Sequence, residues 1–68
     1  MKIWILQRAS MILATSTRRK TLEDLVFSDF VKRKDYKIIK SSVNADLCYV
    51  VHKDTGIVEY ELLRFKVL

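Results

Sequence analysis

Gly56 is the only glycine in the chain, and it follows Lys53-Asp54-Thr55 between two stretches rich in strand-forming residues. A tight chain reversal needs a residue at positive φ, and glycine reaches it without the Cβ clash that other residues meet. Leu47, Tyr49 and Val51 fall at alternate positions before this point, and Val58, Tyr60 and Leu62 do so after it. Residues 47–68 therefore read as a long antiparallel β-hairpin. Pairing His52 with Ile57 puts all six of those side chains on one face and gives the hairpin a core side.

The 68 residues make one small domain, 1–68, near the size at which a single core only just offsets chain entropy. Half of them are apolar and none is proline, which is neither a disordered tail nor a linker composition. The lone cysteine, Cys48, forms no internal disulfide, so a reducing, intracellular and cytoplasmic setting is expected. A chain this short with no staple often gains stability from a second copy, and a homodimer is the expectation. No stretch approaches the roughly 20 apolar residues of a membrane span, so no membrane partner is expected. The apolar opening ends at Gln7-Arg8, too early for a signal peptide, and reads as part of the mature protein.

Residues 2–7 read as a first strand, because Ile3, Trp4, Ile5 and Leu6 are apolar on both parities, as in a strand covered on both faces. Residues 9–17 fit an extension of that strand, a hairpin partner or a helix start equally well. From Thr21 a helix is predicted. Thr21 and Asp24 resemble a capping box, and Leu22, Leu25, Val26 and Phe30 form a stripe at helical spacing. Asp29 interrupts that stripe, and the helix is expected to end near Lys34 and Asp35. Residues 36–43 read as a strand, followed by a turn at Asn44-Ala45-Asp46. The expected fold is α+β in the order β-α-β-β-β, one helix on a small, mainly antiparallel sheet. The helical stripe should meet the sheet face bearing Tyr49, Val51, Val58, Tyr60 and Leu62, with Trp4 in the core.

The last strand changes phase. Val58, Tyr60 and Leu62 give way to Arg64 and Lys66, while Glu59 and Glu61 give way to Leu63, Phe65 and Val67. Either a bulge near Leu62 and Leu63 flips the alternation, or Leu63, Phe65 and Val67 form a dimer interface.

The net charge is +5 and unevenly placed: residues 1–40 hold ten Lys and Arg against four acids, residues 41–68 three against four. An acidic partner, protein surface or nucleic acid, is therefore plausible. Arg18, Arg19 and Lys20 precede the predicted helix, where cations oppose the dipole, so they are either a binding site for phosphate or an acidic partner, or a solvated loop. Lys32, Arg33 and Lys34, continued by Lys37 and Lys40, form a second group. Helix C-terminal cations are stabilising by about 0.3–1 kcal/mol each, which accounts for some of them without function. Alternation sends Lys37 and Lys40 to opposite faces. His52 is the only histidine and cannot build a metal site with Cys48 four residues earlier on one strand. Glu59 and Glu61 have a carboxylate-pair spacing, but a chain this small builds no cleft for that chemistry. No catalytic residue, metal site or cofactor is assigned.

Residues 35–42, 47–51 and 57–65 together resemble the β-meander rhythm of RelE/ParE-type ribosome-dependent toxins, small basic proteins with helices preceding an antiparallel sheet. That family's arginine-rich ending is reduced here to Arg64 and Lys66, and the chain is shorter. The resemblance implies an mRNA-cleaving toxin using Arg64, Lys66 or His52, which ranks below two other readings. The first is a non-enzymatic binding or regulatory protein of the accessory or inhibitor type, as phages, viruses and mobile elements carry, that contacts an acidic macromolecule through Arg18, Arg19, Lys20 and the 32–40 cations. The second is direct nucleic-acid binding by the same residues.

Overall fold

The glycine turn closes as its φ requires. In the computed structural model, which describes residues 1–67, Gly56 has φ +72°. Its N–H donates to the His52 carbonyl at 2.9 Å, and the His52 N–H donates to the Ile57 carbonyl at 3.0 Å. This turn joins β4 (Leu47–His52) to β5 (Val58–Lys66). The hairpin then departs from the simple alternation. Val51 pairs with Val58, but Val50 pairs with Tyr60, so Glu59 is an extra residue in a β-bulge. Beyond the bulge Cys48 faces Leu62, Tyr49 faces Glu61 and Leu47 faces Leu63. Tyr49 and Leu47 therefore lie on the opposite side from Tyr60 and Leu62, and the expected six-residue face does not form. No bulge lies at Leu62–Leu63: residues 61–66 pair with β1 without a shift, so the phase change there is a change in what each face carries, apolar then cationic on one side and acidic then apolar on the other.

Two strands precede the helical layer, where one was expected. β1 (Lys2–Arg8) and β2 (Met11–Ser16) form a hairpin around Ala9 and Ser10. Both turn residues are left-handed, at φ +48° and +71°, the geometry that matches the twist of a two-residue hairpin. Asn-Gly is the usual signal for such a turn; Ala-Ser carries none, which is why residues 9–17 read ambiguously. The β1–β2 register shifts between Leu6 and Gln7, and the extra residue, Leu13, packs against the core.

The α-helix α1 spans Arg19–Leu25, with Arg18 as an extended N-cap that makes no side-chain cap. The Arg18 N–H instead donates to Ser16 Oγ at 3.1 Å. Thr21 thus lies inside the helix, and the predicted capping box is absent. The chain then widens into a π-helical turn, Val26–Phe30, closed by the Val31 N–H on the Val26 carbonyl at 2.9 Å. A wider turn breaks the helical stripe after Val26. Leu22 and Val26 are buried, Asp29 points to water, and Phe30 is 42% exposed with its ring centroid 5.6 Å from that of Tyr60. The helical layer ends at Phe30, short of the expected Lys34, and β3 (Tyr36–Lys40) follows.

The strands form one antiparallel sheet in the order β2-β1-β5-β4-β3, with β5 in the centre. The element order is therefore β-β-α-β-β-β. The helical layer covers one face only. Trp4, Leu6, Cys48, Val50, Tyr60 and Leu62 meet Leu22 and Val26 there, so Tyr49, Val51 and Val58 are not among the helix contacts. Full burial of each of Leu6, Leu22 and Leu62 stabilises by roughly 1.5–3 kcal/mol. Among the described residues no helix is long and apolar enough to cross a membrane.

Candidate functional site

Register decides which cations become neighbours. Trp4 pairs with Arg64 across β1 and β5, and the next pair on the same face towards the sheet end is Lys2 with Lys66. On the other flank Leu62 pairs with Cys48, and Cys48 with Lys40. These rungs all lie on the helix-bearing face. The helix begins above the same end, and Arg19 reaches down so that its guanidinium carbon lies 5.6 Å from the Trp4 ring centroid. That of Arg64 lies 5.3 Å from the same centroid. Both distances are within the roughly 6 Å range of cation–π attraction.

Each of these arginines also has an acidic partner. Arg19 Nε donates to Glu23 at 3.0 Å, one helical turn on. Arg64 Nε donates to Asp46 Oδ1 at 2.7 Å, and the Arg64 N–H donates to the Asp46 carbonyl at 2.8 Å. These pairs hold the guanidiniums in place more than they add stability, since exposed ion pairs contribute about 0–1 kcal/mol. Around them opens a shallow cleft of about 640 Å³, lined by Trp4, Arg18, Arg19, Lys20, Glu23 and Arg64. Lys2, Arg18, Lys20, Lys40 and Lys66 are exposed about this end. None of them is in an ion pair among the described residues.

The predicted basic groups are thus divided. Arg18, Arg19, Lys20 and Lys40 share the cationic end. Lys32, Arg33 and Lys34 follow the π turn at the other end of the helical layer, where the Arg33 guanidinium lies 4.3 Å from the Phe27 ring centroid. Lys37 pairs with Val51 on the opposite sheet face. Lys2, Arg64 and Lys66 complete the cluster only through the β1–β5 pairing, a contact between the chain's two ends that no local pattern announces. With a helix of seven residues, the end is defined by side-chain charge and not by backbone N–H groups.

The far end of the helix-bearing face carries a different grouping. His52 is half-buried, its ring centroid 5.0 Å from that of Tyr36, and its Nδ1 accepts the Asp54 N–H at 3.2 Å. Arg8 pairs with the bulged Glu59 at 3.2 Å, and its guanidinium carbon lies 5.5 Å from the Tyr60 ring centroid. Partial burial, followed by the negative field of Glu59, raises the Tyr36 phenol above its ordinary value of 10.0. His52 is separated from the Leu47–Leu63 rung by five residues of β4, about 17 Å at the rise of a strand. Arg64, Lys66 and His52 therefore do not share a site. Cys48 is fully buried, with Arg19 Nη1 3.9 Å from its sulfur. Among the described residues no group of three or more His, Cys, Asp or Glu side chains is placed to hold a metal ion.

Leu63, Phe65 and Val67 lie on the sheet side away from the helix or just beyond it, Leu63 half-buried and Phe65 and Val67 51% and 41% exposed. Comparison with known proteins finds no matching family model, no matching curated protein and no matching solved structure.

Proposed function

We propose that the protein acts without catalysis, as a binding or regulatory protein that docks an acidic macromolecule on its cationic end. The observation that carries this reading is the cleft at Trp4, where Arg19 and Arg64 are fixed in place and flanked by the unpaired Arg18 and Lys20. Fixed guanidiniums present planar donors to carboxylate or phosphate, and the flanking cations add attraction at longer range. In this reading the working unit is a homodimer. The leading partner class is an acidic protein surface, because Trp4 is only 7% exposed beneath its two arginines and leaves no free ring for a base to stack on.

Direct nucleic-acid binding is the second reading, and the run of unpaired cations from Lys2 and Lys66 to Lys40 favours it as a track for a phosphate backbone. The toxin reading ranks below both, since His52 stands at the opposite end from Arg64 and Lys66. Fluorescence anisotropy with labelled duplex DNA, single-stranded RNA and a poly-glutamate peptide, at roughly 50 and 200 mM salt, separates them. If Lys2, Arg18, Lys20, Lys40 and Lys66 each displace one counterion from single-stranded RNA, log K falls with log salt at a slope of about −3.5. Preference for poly-glutamate identifies the acidic-protein class. Either binding should be lost in the double variant Arg18→Glu, Lys20→Glu. No binding to any of the three probes, or binding unchanged in that variant, overturns the reading.

A further inference from the structure

The sheet is apolar on both sides, yet the helical layer covers only one. On the open side the register lines up Ile5, Leu63 and Leu47 across the three inner strands, with Ile3 beside Phe65 on one flank and Tyr49 beside Ile39 on the other. Ile3, Ile5, Leu47, Tyr49 and Leu63 are only half-buried, and Phe65 and Ile39 are 51% and 41% exposed. The sequence pattern and the single chain therefore disagree. Residues 3–6 are apolar on both parities, the signature of a strand buried on both faces, and one of those faces is bare.

We infer that the bare face is covered by a second copy of this chain, sheet face against sheet face, about a two-fold axis that runs along the central strand at Leu63. The inference rests on the reading of the working unit as a homodimer and adds the surface through which it forms. Three features select a second copy. The first is symmetry. An axis along β5 carries β1 of one copy over β4 of the other, so Ile5 meets Leu47, Leu63 meets Leu63 and Phe65 meets Phe65. Apolar groups then face apolar groups on both flanks, the self-complementarity an isologous contact requires.

The second is area. Five strands about 4.8 Å apart and some six residues long present roughly 480 Å² each, or about 1,000 Å² for the pair. That meets the floor of roughly 1,000 Å² for a specific interface before the relief of the side chains is counted. The third is charge. At +5 two copies repel, but Lys2, Arg18, Arg19, Lys20, Arg64 and Lys66 belong to the helix-bearing side. Of the charged residues in the described strands, register puts only Glu61 and Lys37 on the open side. Glu61 lies on β5 two residues from Leu63 and so meets its mate across the axis, where a crossing of the sheets at about 30° sets the two carboxylates side by side and not head to head. Face-to-face stacking also points the two cationic ends outward, leaving both free for acidic partners.

Sedimentation velocity across the micromolar range is the test, on wild type, Phe65→Glu, Phe65→Lys and an equimolar mixture of the two variants. Phe65 is chosen because its exposure lets the single chain accept a charge. The expected result is a wild-type dimer, weakened at least about 100-fold in each variant by like charges set face to face, and restored in the mixture. Restoration also demonstrates that both variants are folded. A wild type that stays monomeric at every concentration overturns the homodimer reading itself. A dimer that persists in both variants leaves a dimer but removes this face from it. If either variant unfolds, concentration-dependent solvent protection of the Ile3, Ile5, Leu47 and Leu63 methyl groups in the wild type, read by NMR with a soluble paramagnetic agent, takes its place. Protection confined to the helix side, or none, overturns the inference.

Discussion

Replacing Ala9-Ser10 with Asn-Gly should stabilise the protein through the backbone alone. Both residues sit in the left-handed region, at φ +48° and +71°, and both side chains are exposed, so the substitutions remove no packing. A residue with a Cβ is penalised there by roughly 1–2 kcal/mol. Glycine at position 10 escapes that penalty but loses about 0.5–1 kcal/mol through the greater freedom of its unfolded chain. Asparagine at position 9 recovers part of the remainder, because its side chain bonds locally to the turn. The pair should therefore gain about 1 kcal/mol, or 4–8 °C in Tm for a domain this size. Trp4, the single tryptophan and 7% exposed, reports unfolding directly. Urea titrations should show a higher midpoint at an unchanged slope, since the surface exposed on unfolding is the same. Gly56→Ala is the mirror experiment. Its added Cβ would meet nothing within 4 Å, so its expected loss of about 1 kcal/mol is purely conformational. A less stable Asn-Gly variant, together with an unaffected Gly56→Ala, would sink the argument that a Cβ in the left-handed region is costly at these two turns.

Leu62→Ala should cost about 2–5 kcal/mol in the same titration, because it empties a fully buried site on the central strand. That is a large share of the roughly 3–10 kcal/mol a chain of this length holds, whereas Ile57→Ala, at a 58% exposed site, should stay within about 0.5 kcal/mol. Tyr36 should ionise above 10.0, later than an ordinary phenol. A raised value in the folded state means its stabilising share is complete below the ordinary value and disappears as pH climbs through the raised one, so stability should fall in the alkaline range. Ultraviolet titration, with Tyr36→Phe to assign the step, should show Glu59→Gln moving it down towards 10.0; an unmoved midpoint would show that the Glu59 field is not a cause.

The parts of this fold that were legible in the sequence are those whose cause is local. Gly56 announced its turn because the φ it adopts is costly for any other residue. Trp4 announced burial by its place on an apolar strand, and the stripe from Leu22 to Val26 did so by helical spacing. Beside the Ala9-Ser10 turn, which carries no turn signal, and the absent capping box, the errors of phase share one origin, single-residue insertions with no compositional mark. Glu59 bulges from β5 and sends Tyr49 to the far face, Leu13 does the same in β2, and the π turn after Leu25 expels Asp29 and half-exposes Phe30. Such insertions are decided by packing across strands and layers, where burying Tyr60 and Leu62 under the helix outweighs perfect alternation. The cationic end was half legible for the same reason. Arg18, Arg19 and Lys20 are adjacent in sequence, but Lys2, Arg64 and Lys66 join them only when the first strand pairs with the last.

That pairing also links the two proposed surfaces. β1 and β5 lie side by side at the middle of the sheet, and their alternate residues serve opposite faces. Trp4 and Arg64 form the floor of the cationic cleft, while Ile3, Ile5, Leu63 and Phe65 form the bare apolar face. A one-residue slip between these strands would exchange the two sets and bury arginine against the second copy. Self-association and acidic-partner binding thus depend on one register, although they use different side chains. Substitutions at Phe65 should change oligomeric state and leave the affinity of each cationic end intact, and substitutions at Arg18 and Lys20 should do the reverse. Variants that disturb the register itself, at Leu62 or at its β1 partner Leu6, are the ones that should alter both properties together.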